Sequence, residues 1–271
     1  MLSHLAAAAL AMLSASTTSP ASGPASPRTR SGLATCETPL RPDGPLAEGV
    51  GETLLYDVEI MGLAAGSVDL RVQRSTLRDG VLMTEYRSEG HVARAVNLVV
   101  PMELRAQSLF AVGTQLPVSA THTYRLAFRR AKERDHFDSD ARRVTSTRTT
   151  QDGEAQTQRD LSAPAYDFLS GIYFLRRLAP DAAGCALLYG NQKTYTVWIA
   201  AEGEERIETA FGTKLASRYG VRYAADDAHT VRRARIWIGT DDARVPLRAE
   251  MQNSYKPRLE LVGYTPPRQP S

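Results

Sequence analysis

Asp167, Ser170, Tyr173 and Arg176 recur at every third position of one short stretch of helical character. That spacing sets them along one flank of a helix. There they can line a pocket, with Arg176 meeting a carboxylate or phosphate. They can equally form a solvated flank, with Asp167 and Arg176 complementing the two ends of the helix dipole. The segment Trp237-Ile-Gly-Thr-Asp241-Asp-Ala-Arg244-Val-Pro246-Leu-Arg248 is the most distinctive of the chain. A strand ends in an acidic turn whose Asp241 can accept from turn amides. The next strand opens on Pro246, which has no donor to give a ladder. Tyr173, Arg176, Trp237 and Arg248 are therefore the candidate pocket residues.

Catalytic chemistry is poorly supported. Ser170-Gly171 is not a nucleophile elbow, because Phe168 stands where that motif needs glycine. His122 falls on an apolar strand face, the usual place of a hydrogen-bonded core histidine. Glu85, Glu89, Asp241, Asp242 and Glu250 can be paired on paper as acid and base, as carboxylates can in any charged chain. No catalytic residues are assigned, the expectation is a non-enzyme, and neither cofactor nor metal is implied, since two distant cysteines and scattered histidines lack zinc-ligand spacing.

These residues sit in a chain that alternates with period two. Leu54, Tyr56, Val58 and Ile60 are interleaved with polar neighbours, as are Val68, Leu70 and Val72, then Leu104 to Val112, Val118 to Phe128, Tyr195 to Ile199, Tyr219 to Tyr223, and Val245 to Met251. Asp79-Gly80 and Asp152-Gly153 are hairpin turns. Residues 129–160 are highly charged, with 145–150 a β-prone polar stretch. The helical stretch 167–177 is capped by Ser162, tolerates Pro164 in its first turn and stops at Pro180. Ala165, Phe168, Leu169, Ile172, Leu175 and Ala179 form its apolar stripe. The expected fold is mainly β: a curved antiparallel sheet, or partly open barrel, of about ten strands with one packed helix plugging its concave side.

Composition narrows the compartment. Of 33 basic residues four are lysines, and the net charge is only +3. No compact basic patch interleaved with aromatics is present, so nucleic acid is not an expected partner. Leu5 to Leu13 is a nine-residue apolar run, too short to span a bilayer and of signal-peptide length, although no Lys or Arg precedes it. The expected organisation is a signal peptide over 1–16, a flexible Ser/Pro/Ala-rich tether over 17–50, one β domain over 51–264 and a disordered tail over 265–271. In an exported chain the two cysteines, Cys36 and Cys185, are expected to pair. The rival is lipid anchoring at Cys36, which the poor lipobox Leu33-Ala-Thr-Cys36 and the intervening Arg28 and Arg30 disfavour.

Three blocks carry a family likeness: Tyr56-Asp-Val58 with Gly62 and Ala65-Gly66; Asp167-Phe-Leu-Ser170 running to Leu175-Arg176; and Ile236-Trp237 with Asp241 and Arg244-Val-Pro-Leu-Arg248. In their order and spacing they resemble the bacterial domain-of-unknown-function family 3108, exported proteins of the cell envelope. The resemblance implies an exported, mainly β protein and brings no catalytic residues. The last block is also similar to a turn in periplasmic lipoprotein carriers with half-barrel folds. That analogy alone implies a lipid-type ligand. The sequence-level expectation is thus a periplasmic or envelope-associated, non-enzymatic holder of an apolar or amphipathic ligand. The alternative is an envelope interaction or assembly module without a small ligand. Expected partners are a lipid or other envelope component and an outer-membrane protein.

Overall fold

A computed structural model describes residues 36–42, 48–93, 102–126, 129–228 and 230–268. The putting together begins at β1 (Thr53–Ile60), where Leu54, Tyr56, Val58 and Ile60 are buried while Leu55, Asp57 and Glu59 point outward. One face of this strand is apolar, so the chain must bring more strands, and something to cover them, to that face.

It does so by a long meander. β2 (Leu63–Arg78), β3 (Val81–Val92), β4 (Met102–Ala111), β5 (Leu116–Leu126), β6 (Arg129–Asp138), β7 (Arg143–Thr150) and β8 (Gly153–Asp160) add one after another on one side of β1. Then come β9 (Ala165–Asp167) and the helix α1 (Phe168–Leu175). β10 (Ala183–Gly190), β11 (Lys193–Thr209), β12 (Gly212–Ala225), β13 (Arg232–Gly239), β14 (Pro246–Met251) and β15 (Arg258–Thr265) complete the sheet from the far edge back to β1. All neighbours are antiparallel except β9 and β10.

The sheet therefore has 15 strands rather than about ten. The shortfall lies in β6 and β8, hidden in the charged stretch, and in β9 and β10. β6 carries Glu133 and Asp135 on its inward face, so its alternation is invisible to a hydrophobicity pattern. β10, Ala-Gly-Cys-Ala-Leu-Leu-Tyr-Gly, is buried on both faces and has no alternation to show.

The sheet rolls up on itself. Bulges at Val58/Glu59 in β1, Val72/Arg74 in β2 and Ala201/Gly203 in β11 sharpen its curl. Gly203 takes φ +100°, open to glycine and costly to other residues. The wing β5–β8 lies over the outer face of β9–β10. Ala120, Phe137 and Val144 of the wing share a buried cluster with Ala165, Leu187 and Tyr189. Ala186 and Leu188, the alternate residues of β10, face the interior. Closure is thus by overlap, with the exposed edge tucked under the wing instead of hydrogen-bonded to it.

The N-terminal leg is tied in at the same place. Cys36 and Cys185 form a disulfide, with Cα atoms 5.5 Å apart. Cys185 N donates to Thr38 O at 2.8 Å, and Leu40 N donates to Cys185 O at 2.7 Å, so residues 38–40 continue the line of β9 along β10. The bonded sulfur leaves no thiol for lipid at Cys36. The signal segment and residues 17–35 of the expected tether lie outside the described residues. No helix among the described residues is long and apolar enough to cross a membrane.

The helix differs from the sequence reading at its start. Ser162 does not cap it. Residues 165–167 are a strand, and Asp167 is the N-cap, accepting from Leu169 N at 2.9 Å and Ser170 N at 3.2 Å. An aspartate with a serine three residues on is a capping signal in its own right. The stronger local cap, backed by tertiary pairing of β9 to β10, sets the boundary.

Candidate functional site

α1 lies inside the rolled sheet, and its two flanks reverse the expected roles. The polar flank is the more deeply buried. Ser170, Tyr173 and Arg176 are all fully enclosed. Asp167 is held by Ser108 of β4 and by Ser170 of its own helix. The Ser108 and Ser170 hydroxyls each donate to Asp167 Oδ2 at 2.6 Å. Ser170 is thus spent on a cap. Tyr173 stacks on Tyr86 of β3 with ring centres 4.1 Å apart. Burial, chiefly, pushes the hydroxyl pKa of both tyrosines well up.

Both terminal nitrogens of Arg176 are bound by the protein. Its Nη1 and Nη2 donate to Glu52 Oε2 and Oε1 at 2.6 and 2.9 Å, and Nη2 also donates to Ala243 O at 2.7 Å. Neither side chain of the pair has exposed surface. Burial by itself would lower the guanidinium pKa, but the Glu52 carboxylate more than reverses this. Next to it, Arg177 Nη1 donates to Gln115 Oε1 at 3.0 Å, and Glu48 Oε1 accepts from the Tyr86 hydroxyl at 2.8 Å. From the β13–β14 turn, Arg244 donates through Nε to Arg176 O and through Nη2 to Leu178 O, both at 2.7 Å. It satisfies carbonyls that the helix end leaves without partners. These contacts form a charged floor to the cup, built from segments as far apart as Glu52 and Arg244.

The apolar flank looks into space. Phe168, Ile172 and Leu175 are only half-buried, because they line a cavity of about 290 Å³ between the helix and the inner face of the sheet. The opposite wall includes Val58 of β1, Leu188 of β10 and Val221 of β12. The lining is almost wholly hydrocarbon. Its polar groups are largely occupied, with the Tyr56 hydroxyl donating to Pro246 O at 2.8 Å.

Of the four candidate pocket residues, Arg248 is part of this lining. Its guanidinium nevertheless donates to Glu208 O at 2.7 Å and to Glu260 Oε1 at 3.1 Å. Tyr173 and Arg176 lie behind the helix in the floor network. Trp237 lies under β11, its indole N–H donating to Glu205, with Arg248 across its ring. The structure does not bring these four together around one space. Asp241 does accept from a turn amide, Arg244 N, at 3.2 Å, and Pro246 opens β14.

A second polar feature lies in the seam between the wing and β10. Glu133 and Asp135 of β6 are buried, as are Ser146 and Tyr189. Glu133 Oε1 accepts from Gln192 N at 3.0 Å. His122 Nε2 is enclosed without a hydrogen-bond partner among the described residues, and Asp135 and Tyr189 both face the Ser146 hydroxyl. His122 is therefore buried as expected but not hydrogen-bonded through Nε2, and burial pulls its pKa down. Burial first, then the neighbouring Glu133 charge, pushes the Asp135 carboxyl up to about 8. Among the described residues no group of three His, Cys, Asp or Glu side chains is placed to hold a metal ion.

Sequence reasoning missed the floor and the seam for one reason: Glu48, Glu52, Gln115 and Asp135 look like surface residues in a polar context. Arg244 had a signal, since it belongs to the Arg-Val-Pro-Leu-Arg block.

Comparison with known proteins adds the following. A family model described as a protein of unknown function, DUF3108, matches residues 55–261. No curated protein matches the sequence. Among solved structures, a β-barrel-like protein of the unknown-function domain DUF1849 from Brucella abortus is 8% identical. It aligns over 81% of this chain and 98% of its own, with a TM-score of 0.56. A Bacteroides fragilis protein described as exported, with a YmcC-like fold, is 8% identical over 80% of this chain and 97% of its own, with a TM-score of 0.38. A Parabacteroides distasonis protein described as a lipoprotein is 7% identical over 82% and 100%, with a TM-score of 0.35. The first likeness supports a shared β-barrel-like architecture and nothing finer.

Proposed function

The chain belongs to the DUF3108 family of proteins of unknown function, and on that premise we propose that it is a non-enzymatic cell-envelope protein whose rolled sheet holds an apolar or amphipathic ligand. The observation that carries this reading is the cavity against the apolar flank of α1. Left empty, a space of about 290 Å³ leaves its almost wholly apolar lining facing water, at a cost that grows with the apolar area left uncovered. A space of this size and lining favours an occupant. It is about twice the engineered 150 Å³ cavity that takes up benzene, so it has room for a chain or ring system of roughly a dozen carbons. The charged floor supports the reading from the other side. It fixes the helix end through groups that take no part in the lining, so the cavity keeps its shape without a ligand.

The experiment pairs native mass spectrometry of protein purified from the envelope with uptake of a fluorescent apolar dye, N-phenyl-1-naphthylamine. A retained lipid-sized mass and saturable dye uptake are expected. Ala106 lines the cavity from β4, and Ala106→Phe should fill it, cutting dye affinity about ten-fold or more without lowering the melting temperature. Wild-type protein that carries no ligand and takes up no dye would overturn the reading.

A further inference from the structure

The cavity occupies the half of the cup toward one end of the strands. The hydrogen-bond register shows which turns form that end. Met61 N, in the β1–β2 turn, donates to Tyr255 O of the β14–β15 turn at 3.0 Å. Gln252 N, just beyond β14, donates to Arg233 O at the start of β13 at 2.9 Å. The described residues of three turns, β1–β2, β14–β15 and β12–β13, therefore lie side by side along one rim. Cavity-lining residues lie immediately inside them: Val58, Leu259, Met251, Ala234 and Tyr223.

This rim exposes apolar side chains, as the opposite end of the strands does at Leu77 and Phe211; what sets it apart is the cavity beside it. Met61 is 59% exposed, Leu63 71% and Val231 41%. Beside them Arg232, Arg233 and Lys256 are exposed, and none forms an ion pair among the described residues. The acids of the β12–β13 turn are occupied: Asp226 by Arg159 and Asp227 by Lys193. Asp57 and Glu59 of β1 are exposed carboxylates beside these turns that form no ion pair among the described residues. The rim thus combines apolar side chains held out into water with free positive charge. Scattered exposed apolar residues need no explanation, but apolar tips interleaved with unpaired cations fit an anionic lipid surface, where the former enter the interface and the latter meet headgroup phosphates.

We propose that the rim formed by the β1–β2, β14–β15 and β12–β13 turns docks on an anionic lipid bilayer, so that an apolar ligand passes between membrane and cavity without crossing water. The proposal rests on the ligand-holding reading above and deepens it by naming the surface that supplies the ligand. Charge complementarity and the position of the rim next to the cavity select the bilayer over a second copy of the chain.

The test is cosedimentation of the full chain with vesicles of phosphatidylcholine alone, or with one third phosphatidylglycerol. Binding to the anionic vesicles, weakened by salt, is expected. Each basic residue near such a surface is worth about five-fold in partitioning. Arg232→Glu with Arg233→Glu should therefore weaken binding roughly 25-fold or more. Met61→Asp with Leu63→Asp should also weaken it, and aspartate tolerates the positive φ at position 61. Both variants should keep the wild-type melting temperature and dye uptake in vesicle-free solution. Equal binding to both vesicle types, no binding, or variants that bind like wild type would overturn the docking proposal. Loss of a wild-type dimer in these variants, measured by analytical ultracentrifugation, would overturn it in favour of self-association. Dye uptake is read separately, so failure at the vesicle leaves the cavity reading standing, and failure of dye uptake does not affect the vesicle result.

Discussion

Replacing Arg176 by methionine isolates what the floor of the cup contributes. Methionine keeps much of the side-chain volume while removing three hydrogen bonds: two to Glu52 and one to Ala243 O. Glu52 then remains a buried carboxylate without a counter-charge, since neither partner has any exposed surface. Breaking a buried pair from one side costs about 3–5 kcal/mol, and the orphaned Ala243 carbonyl adds about 1 kcal/mol. At about 2–4 °C per kcal/mol for a domain of this size, the melting temperature should fall by roughly 8–24 °C. Glu52→Leu alone should be similarly harmful, because it strands the guanidinium. The double variant, with both charges gone, should recover at least about 2 kcal/mol of the summed loss. Urea denaturation of the four proteins measures this coupling. Additive effects, or a single-variant loss under about 1 kcal/mol, would refute the argument that the pair is desolvated and mutually dependent. The folded double variant should still take up dye, since Arg176 does not line the cavity. Loss of uptake in a stable double variant would return Arg176 to the role of headgroup ligand.

The seam gives a pH-dependent prediction. The Asp135 carboxyl is raised to about 8, mainly by burial, from an ordinary value of 3.8. The folded state therefore holds a proton that the unfolded chain releases. Stability is greatest below about pH 4 and is lost as pH climbs toward 8, at about 1.4 kcal/mol per unit. Asp135→Asn should match wild type near pH 4 and exceed it increasingly up to pH 8; a pH-independent difference in melting temperature would count against the assignment. Removing the disulfide with Cys36→Ser and Cys185→Ser opens a loop of sequence separation 149, worth about 5 kcal/mol by chain entropy. Denaturation midpoints with and without reductant should show it in wild type and not in the variant. Gly66→Ala places a Cβ 2.1 Å from the His91 carbonyl oxygen. Backbone must move to admit it, so the β2–β3 pairing should loosen, visible as faster amide exchange there; unchanged exchange would mean the strands can separate at little cost.

The residues themselves were sufficient for the mainly β class, for one helix inside the sheet among the described residues, for the pairing of Cys36 with Cys185, and for the family likeness borne by three blocks. Each rests on information that is local or nearly so: period-two alternation in β1 and β14, a breaker at Pro180, two cysteines and a short run of residues in fixed order. What only the tertiary structure decided is which side of α1 is wet and which is dry. Read by hydropathy, Phe168, Ile172 and Leu175 belong in the core, and Ser170, Tyr173 and Arg176 belong outside. The molecule buries the second set because Glu52 and Ala243 arrive from distant segments to bind Arg176, Tyr86 stacks on Tyr173 and Asp167 accepts from Ser170, and it leaves the first set facing a cavity. β6 was illegible for the same reason. Glu133 and Asp135 point inward because the wing closes over β10. Burial of a polar group depends on partners far away in sequence, and a period read along one segment carries no information about them.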